Sequence, residues 1–326
     1  MAVMFRWEKL GIIFSPTQEI APAWMDQYAE APFPLILENT VRFYFACRTP
    51  LDSKGLCVSQ MGYVEVDRQN LHKITNVSAQ PVLSLGERGT FDEHGTRFPC
   101  VQQSGNETIC YYSGLSRCAS VRFNVAIGAA TSLDGGVTFE KMGPGPLFSF
   151  SPTDPFLVSE PRVYKSDKNW YMAYGGGLRW ENVEGEFQPI CRIRMAHSSD
   201  GLNWTPTKKD ILAETVHPDE IQGCPSIVFL DNRYHLFFSY CSARSLRGSG
   251  PKYRIGYASS IDLAHWIRDD DKAGISVSDA GWDSEMICFP YAFELDGSVY
   301  LAYNGNDYGK MGFGLARWTG NSLQEN

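Results

Sequence analysis

Apolar residues along this chain gather in short runs separated by Gly, Asn, Asp and Ser, without the helical spacing that would mark an amphipathic α-helix. The stretch from 161 to 207 shows the unit. It predicts four successive strands at Pro161–Lys165, Asn169–Tyr174, Cys191–His197 and Asn203–Thr207, filled with the Tyr, Trp, Ile, Val and Phe that suit half-buried strands. Between the third and fourth, Ser199-Asp200-Gly201-Leu202-Asn203-Trp204 reads as a tight turn followed by an aromatic anchor. Related turns stand at Ser132-Leu133-Asp134-Gly135-Gly136 and Ser260-Ile261-Asp262-Leu263-Ala264-His265-Trp266. Glycine accepts positive φ in such turns and aspartate bonds the local backbone.

The unit recurs. Pro34, Pro99, Pro161, Pro225 and Pro290 each open an apolar strand, at steps of 65, 62, 64 and 65 residues. Cys47, Tyr112, Tyr174, Phe238 and Tyr303 follow thirteen residues later, and Arg48, Ser113, Gly175, Ser239 and Asn304 come next. A fixed period of this kind signals a repeat architecture. Five units of four antiparallel strands predict an all-β, five-bladed β-propeller spanning residues 1–326 as a single domain. The fifth unit runs out after Phe313–Trp318, so Arg6–Phe14 is expected to join the last blade and close the ring, which removes exposed sheet edges.

Composition narrows the function. The 326 residues are 43% hydrophobic and 20% charged, enough to bury a large core, and the net charge of -8 argues against a nucleic-acid surface. Arg6, Glu8 and Lys9 interrupt the N-terminal apolar run, unlike a signal peptide, and no apolar stretch is long enough for membrane insertion. Nine scattered cysteines without metal spacing fit reduced thiols, so the expected compartment is the cytoplasm. Neither a metal motif nor a cofactor-binding motif is visible, and the expected partner is a small carbohydrate or sugar phosphate.

In a propeller the loops entering the first strands converge on one face. Asp92, Asp154 and Asp283 stand seven residues before their prolines, Glu93 and Asp219 six, Glu220 and Glu285 five, and Glu160 directly adjacent. The regular aspartates have a structural reading, as acceptors for backbone amides at the blade entrance. The less regular Glu160, Glu220 and Glu285 lean towards chemistry. Paired carboxylates about 6.5–9.5 Å apart would protonate a departing glycosidic oxygen and activate a water, with inversion. The catalytic candidates are therefore Glu160, Glu220, Asp92, Asp283 and Glu285. Arginines also collect near the expected mouth: Arg48, Arg97 and Arg162 at strands, and Arg117, Arg122, Arg179, Arg244 and Arg247 in loops. Some pair with the acids, and others suit an anion, since a guanidinium grips carboxylate or phosphate with two parallel hydrogen bonds. Glu93, His94, Arg97, Arg162, Arg48 and Arg244 join Trp180 and Trp282 as substrate-binding candidates, with Trp180, in the expected glycine-flanked loop Gly175–Trp180, the aromatic least like core.

The repeated strand-opening proline, the Tyr-x-Ala-Tyr-Gly second strand, the Ser-x-Asp-Gly-x-x-Trp turn and the entrance acids resemble the five-bladed glycosidase superfamily that includes glycoside hydrolase families 43, 32 and 130. Gly89-Thr90-Phe91-Asp92-Glu93-His94-Gly95, Gly281-Trp282-Asp283-Ser284-Glu285-Met286 and Tyr303-Asn304-Gly305-Asn306 look like glycosidase-like propellers associated with bacterial surface-polysaccharide synthesis. The family 43 pattern implies a base Asp in blade one, a pKa-tuning Asp in blade two and an acid Glu in blade three. Asp92 and Glu160 match the latter two, whereas blade one has only Ala29-Glu30-Ala31-Pro32-Phe33-Pro34. Either Glu30 substitutes, or the pair lies at Glu220 and Asp283/Glu285, or the reaction is not hydrolysis. Family 130 phosphorylases imply one acid and a cationic phosphate site. The leading expectation is an inverting glycosidase-like hydrolase. The alternatives are a glycosyltransferase or phosphorylase using a phosphorylated sugar or sugar nucleotide, and a non-catalytic glycan-binding propeller.

Overall fold

The computed structural model describes residues 5–53, 57–104, 107–166, 169–212, 215–246 and 250–320. Strand β1 (Trp7–Phe14) leads into a meander of β2 (Gln27–Ile36), β3 (Thr40–Arg48), β4 (Ser59–Asp67) and β5 (Asn70–Val77). A second meander follows in β6 (Gly95–Ser104), β7 (Glu107–Arg117), β8 (Phe123–Ser132) and β9 (Glu140–Lys141), and a third in β10 (Val158–Ser166), β11 (Asn169–Val183), β12 (Glu186–Ser198) and β13 (Thr205–Asp210). The fourth comprises β14 (Glu220–Leu230), β15 (Arg233–Ser242), β16 (Arg254–Ser260) and β17 (Ile267–Arg268). β18 (Cys288–Leu295), β19 (Ser298–Asn304) and β20 (Phe313–Trp318) complete the series. The fold is mostly β and is built from four-stranded antiparallel sheets, not one continuous closed sheet. The first two are joined by a single parallel pairing, Ser59 with Gly95. β1 supplies the fourth strand of the last sheet, pairing antiparallel with β20 from Trp7–Trp318 to Phe14–Phe313.

The apolar faces explain how the sheets sit. Tyr44, Tyr111, Val163 and Trp170 belong to one buried cluster shared by sheets one to three. Phe43 and Phe293 share another between sheets one and five, and Phe237 and Leu301 a third between sheets four and five. Ile193 and Phe238 link sheets three and four. The first strands also touch in sequence, β2 with β6, β6 with β10, β10 with β14, β14 with β18, and β18 with β2.

Two expectations change in detail. The third unit was expected to end its second strand at Tyr174, but β11 continues to Val183 and pairs with β12 through the whole glycine run. Gly175–Gly177 is therefore strand, not loop. A side chain at Gly176 would press on Arg194, and one at Gly177 on Leu157, so the glycines let neighbouring groups lie flat on the sheet. The second change is one of phase. Every first strand carries a register shift between the residues two before and one after a proline: Glu30/Phe33, Arg97/Cys100, Ser159/Arg162, Gly223/Ser226 and Cys288/Tyr291. In sheet one that proline is Pro32, not Pro34. The residue just before the proline has positive φ in all five sheets: Ala31 at 54°, Phe98 at 52°, Glu160 at 59°, Cys224 at 46° and Phe289 at 53°. A β-bulge that holds a non-glycine residue in this region costs about 1–3 kcal/mol and re-aims its side chain.

Candidate functional site

The five bulges converge. Ala31, Phe98, Cys224 and Phe289 share one buried apolar cluster. The fifth equivalent residue is Glu160, so four apolar side chains and one carboxyl occupy the same register.

A second repeated position explains how that carboxyl is held. Ala46, Ser113, Gly175, Ser239 and Asn304 pair with the residues two before the five prolines. Three of them accept the bulge N–H of the next sheet: Glu160 N–H donates to Ser113 Oγ at 2.8 Å, Phe289 N–H to Ser239 Oγ at 2.7 Å and Ala31 N–H to Asn304 Oδ1 at 2.7 Å. Between sheets three and four the acceptor position is Gly175, which has no side chain. There Cys224 N–H donates instead to Glu160 Oε2 at 2.6 Å. The carboxyl thus replaces the missing hydroxyl. Glycines on both strands make the room: a Cβ on Gly175 would stand 3.2 Å from Glu160 Oε2 and be cleared by a small shift of the carboxyl, whereas one on Gly223 would collide with it.

Glu160 opens into a cavity of about 440 Å³ that is also lined by Tyr28, Arg48, Arg97, Arg122, Tyr253 and Asp307. Burial raises its pKa, against the lowering influence of the Cys224 amide and of Arg162 and Arg97. A carboxyl held in this way keeps its proton to higher pH than an ordinary glutamic acid. Cys191 and Cys224 lie close to it, and burial pushes both thiols far up, so neither serves as a thiolate nucleophile near neutral pH.

The same cavity has a cationic lining. Glu30, 1% exposed, is gripped by Arg48 Nη2 at 3.1 Å and by Arg97 Nη2. Arg48 lies 3.7 Å over the Tyr28 ring, and Arg97 faces the Phe98 ring. One carboxylate thus orients two guanidinium groups that both line the cavity. Arg122 is more exposed, 3.8 Å from Glu186.

The other predicted acids lie elsewhere. Asp92 accepts from Tyr112 at 2.9 Å and pairs with Lys141 at 2.5 Å, and Asp283 accepts from Tyr303 at 3.0 Å and from Lys9 at 2.7 Å. Asp154 repeats the arrangement with Tyr174 and Arg194. Each ties an entrance loop to the second strand of its own sheet. Glu220 is fully buried and bound by Arg268, Gln222 and the Val216 amide. None of these four lines the cavity, nor does Glu285, which is exposed on the surface.

The predicted binding residues divide in the same way. Arg48 and Arg97 reach the cavity and the rest do not. Glu93 accepts from the Gly89 amide and sits 3.3 Å from His94. Trp180 packs edge-on behind Phe123, Trp282 packs on Tyr303, and Arg244 points outwards. Arg162 is buried, with Nη1 bonded to the Pro99 and Pro161 carbonyls. Arg247 lies outside the described residues. Sequence reasoning missed Tyr28, Tyr253 and Asp307, which come from loops and strand edges outside the repeated motifs. It noted the row Ser113, Gly175, Ser239 and Asn304 without its meaning. Among the described residues no group of three or more His, Cys, Asp and Glu is placed to hold a metal ion, and no helix is long and apolar enough to cross a membrane.

No protein-family model matches the chain. It is 33% identical over 312 residues to "Uncharacterized protein Rv1502" of Mycobacterium tuberculosis, covering 95% of this chain and 98% of that one. The chain belongs to the Rv1502 family. A shorter similarity, 26% over 145 residues, links it to the beta-1,2-mannobiose phosphorylase of a Thermoanaerobacter species, over 41% of this chain and 45% of the other. Among solved structures, a glycoside hydrolase superposes with a TM-score of 0.73 at 19% identity, over 97% of this chain and 92% of that one. A family 130 structure, described as targeting beta-1,2 mannosidic linkages in Candida mannan, gives 0.66 at 15%, over 97% and 94%. The Rv1502 family therefore shares the fold of the glycosidase-like propellers, in line with the resemblance in its sequence motifs.

Proposed function

We propose that the five sheets close into a five-bladed propeller and that the protein is a carbohydrate-active enzyme with Glu160 as its single general acid. The cyclic contacts of the first strands and the β1–β20 pairing support the closure. The observation that carries the chemistry is the exception at the five bulges: one carboxyl among four apolar residues, facing a cavity with two oriented arginines. Glu160 would give its proton to the glycosidic oxygen as the bond to the anomeric carbon breaks. An anionic oxygen, from phosphate or a phosphorylated sugar held by Arg48 and Arg97, would form the new bond to that carbon. Such a nucleophile is already charged and needs no second carboxylate as base, which agrees with Glu30 being committed to both arginines. The similarity to a mannobiose phosphorylase supports this reading over simple hydrolysis.

Asp307 supports a second reading, since it is the other carboxyl among the cavity residues and could activate water for an inverting hydrolysis. The discriminating experiment incubates the protein with β-1,2-mannobiose, a panel of neutral oligosaccharides and nucleotide sugars, with and without inorganic phosphate. The expected result is turnover that requires phosphate or a phosphorylated donor, and weaker phosphate binding in Arg97→Gln. Turnover in phosphate-free buffer that Asp307→Asn abolishes would establish the hydrolase instead.

A further inference from the structure

One position beyond each proline the five first strands carry Phe33, Cys100, Arg162, Ser226 and Tyr291. Four are uncharged and the fifth is a fully buried arginine. Its Nη1 is spent on the Pro99 and Pro161 carbonyls, while Nε and Nη2 have no hydrogen-bond partner among the described residues. The guanidinium faces the rings of Phe33 at 5.9 Å and Tyr291 at 5.6 Å, and forms no ion pair with any described carboxylate. A buried cation without a counter-charge is costly by several kcal/mol, and proteins keep one where its field has a use. Both departures from the fivefold pattern fall on β10: the lone acid at 160 and the lone cation at 162. They flank the bulged Pro161, and Arg162 acts on Glu160 as a nearby positive charge.

We propose that Arg162 is a positioning residue for Glu160, the fixed positive charge that stabilises the carboxylate left behind when Glu160 has given up its proton. The proposal rests on Glu160 being the proton donor. Without Arg162 the spent carboxylate would stand in apolar surroundings beside Phe98, Cys224 and Phe289, and the proton would leave too reluctantly. Other groups near Glu160 are Arg97 from β6, Cys191 from β12, Cys224 from β14, Cys288 from β18 and Tyr253 ahead of β16. Burial keeps the thiols and the phenol protonated, so among these Arg97 and Arg162 are the charged neighbours. Arg97 is shared with Glu30 and reaches solvent, whereas Arg162 is sealed.

The test is a carboxyl-carbon NMR titration of protein labelled at glutamate, with the Glu160 signal assigned by its loss in Glu160→Gln. Because it needs no substrate, it stands apart from the assay that tests the function. In Arg162→Gln the Glu160 titration should move up by about one to three pH units, and Arg162→Lys should bring most of it back. An unchanged midpoint in Arg162→Gln would overturn the proposal. Should that variant not fold, wild type decides: a sealed cation is poorly screened, so the midpoint should stay within a few tenths of a pH unit between about 0.05 and 1 M NaCl. A clear rise with salt would assign the effect to the solvent-facing arginines and refute the role of Arg162. Failure of Glu160→Gln to lose activity, with the titration behaving as expected, would instead remove the catalytic reading and leave the electrostatic coupling intact.

Discussion

The entrances to sheets four and five begin from the same geometry and end differently. At sheet five, Ser239 of the preceding sheet satisfies the Phe289 N–H, and the bulge buries a phenyl ring. At sheet four, Gly175 offers nothing, and the Cys224 N–H takes the Glu160 carboxyl. The first arrangement is purely structural: a hydroxyl latches neighbouring sheets and leaves no reactive group. The second uses the same donor to hold an acid in place, and two glycines make the room. Ala46 and Gly175 both lack an acceptor in this row, and the site is built at the second, where a carboxyl from the neighbouring strand takes the missing place. The strain of the bulge is shared by all five sheets and so does not mark the site. The carboxyl that takes the place of the missing acceptor does.

The comparison can be broken most forcefully at the acid itself. Glu160→Gln keeps the shape and an acceptor for Cys224 but cannot give a proton, and turnover should fall roughly 10²–10⁴-fold with little change in Tm. In wild type the rate should decline as pH rises through the raised pKa of Glu160, because the protonated acid is the working form. The sign for stability is the same: a buried carboxyl with raised pKa favours the folded state below its unfolded pKa, and that contribution is lost as pH rises through the folded value. A rate that keeps rising through alkaline pH would contradict the assignment.

The next test makes sheet four resemble sheet five. Gly175→Ser supplies the missing hydroxyl for the Cys224 N–H and frees the carboxyl to swing away. A misplaced acid of this kind should lose about 10²-fold in rate while the fold remains as stable as wild type. Gly223→Ala should match the loss of activity but lower Tm as well, since its methyl collides with Glu160. Equal activity in Gly175→Ser would mean that the glycine is incidental.

The structural version of the latch can be removed where no cavity residue is involved. Asn304 is fully buried, accepts from the Ala31 amide, and donates to the Ala29 and Gly312 carbonyls, each at 2.8 Å. Asn304→Ala should cost about 1–3 kcal/mol per orphaned group in urea unfolding, softened by whatever water enters. A loss below about 1 kcal/mol would show that sheets five and one are joined by their apolar faces alone.

The smallest effect is expected at the outer turns. Ser132, Ser198 and Ser260 donate to Asp134, Asp200 and Asp262, whose carboxylates accept further backbone amides. Desolvation is the largest single influence and raises the Asp134 pKa, but these bonds together outweigh it and lower the value from 3.8 to about 2. Its contribution is present above the ordinary value and is lost as pH falls through the folded one. Asp134→Asn should therefore melt slightly below wild type at pH 6, and the difference should shrink between about pH 4 and pH 2. A constant gap would assign the turn's value to shape and not charge.

The period of the prolines, the four strands per unit and the Ser-x-Asp turns were all legible in the chain, because each depends on neighbours a few residues apart. So was the partnership of the first and last segments, since an incomplete unit needs an edge filled, and β1 fills it. The phase of the first repeat was not legible. Pro32 and Pro34 both precede apolar residues, and only the bulge register shows that Pro32 is the equivalent one. The aspartates and Glu220 illustrate the larger limit. As letters they are as acidic as Glu160, but Tyr112, Lys141, Lys9 and Arg268 reach them across strands or sheets and bind them. Whether a carboxyl is engaged in ion pairs or open to a cavity depends on burial and on the charges that folding brings close. Sequence alone determined which residues could do chemistry and that one unit was used five times. Tertiary structure decided which acid stands at the break in the pattern, because only there do two glycines and an unclaimed amide meet.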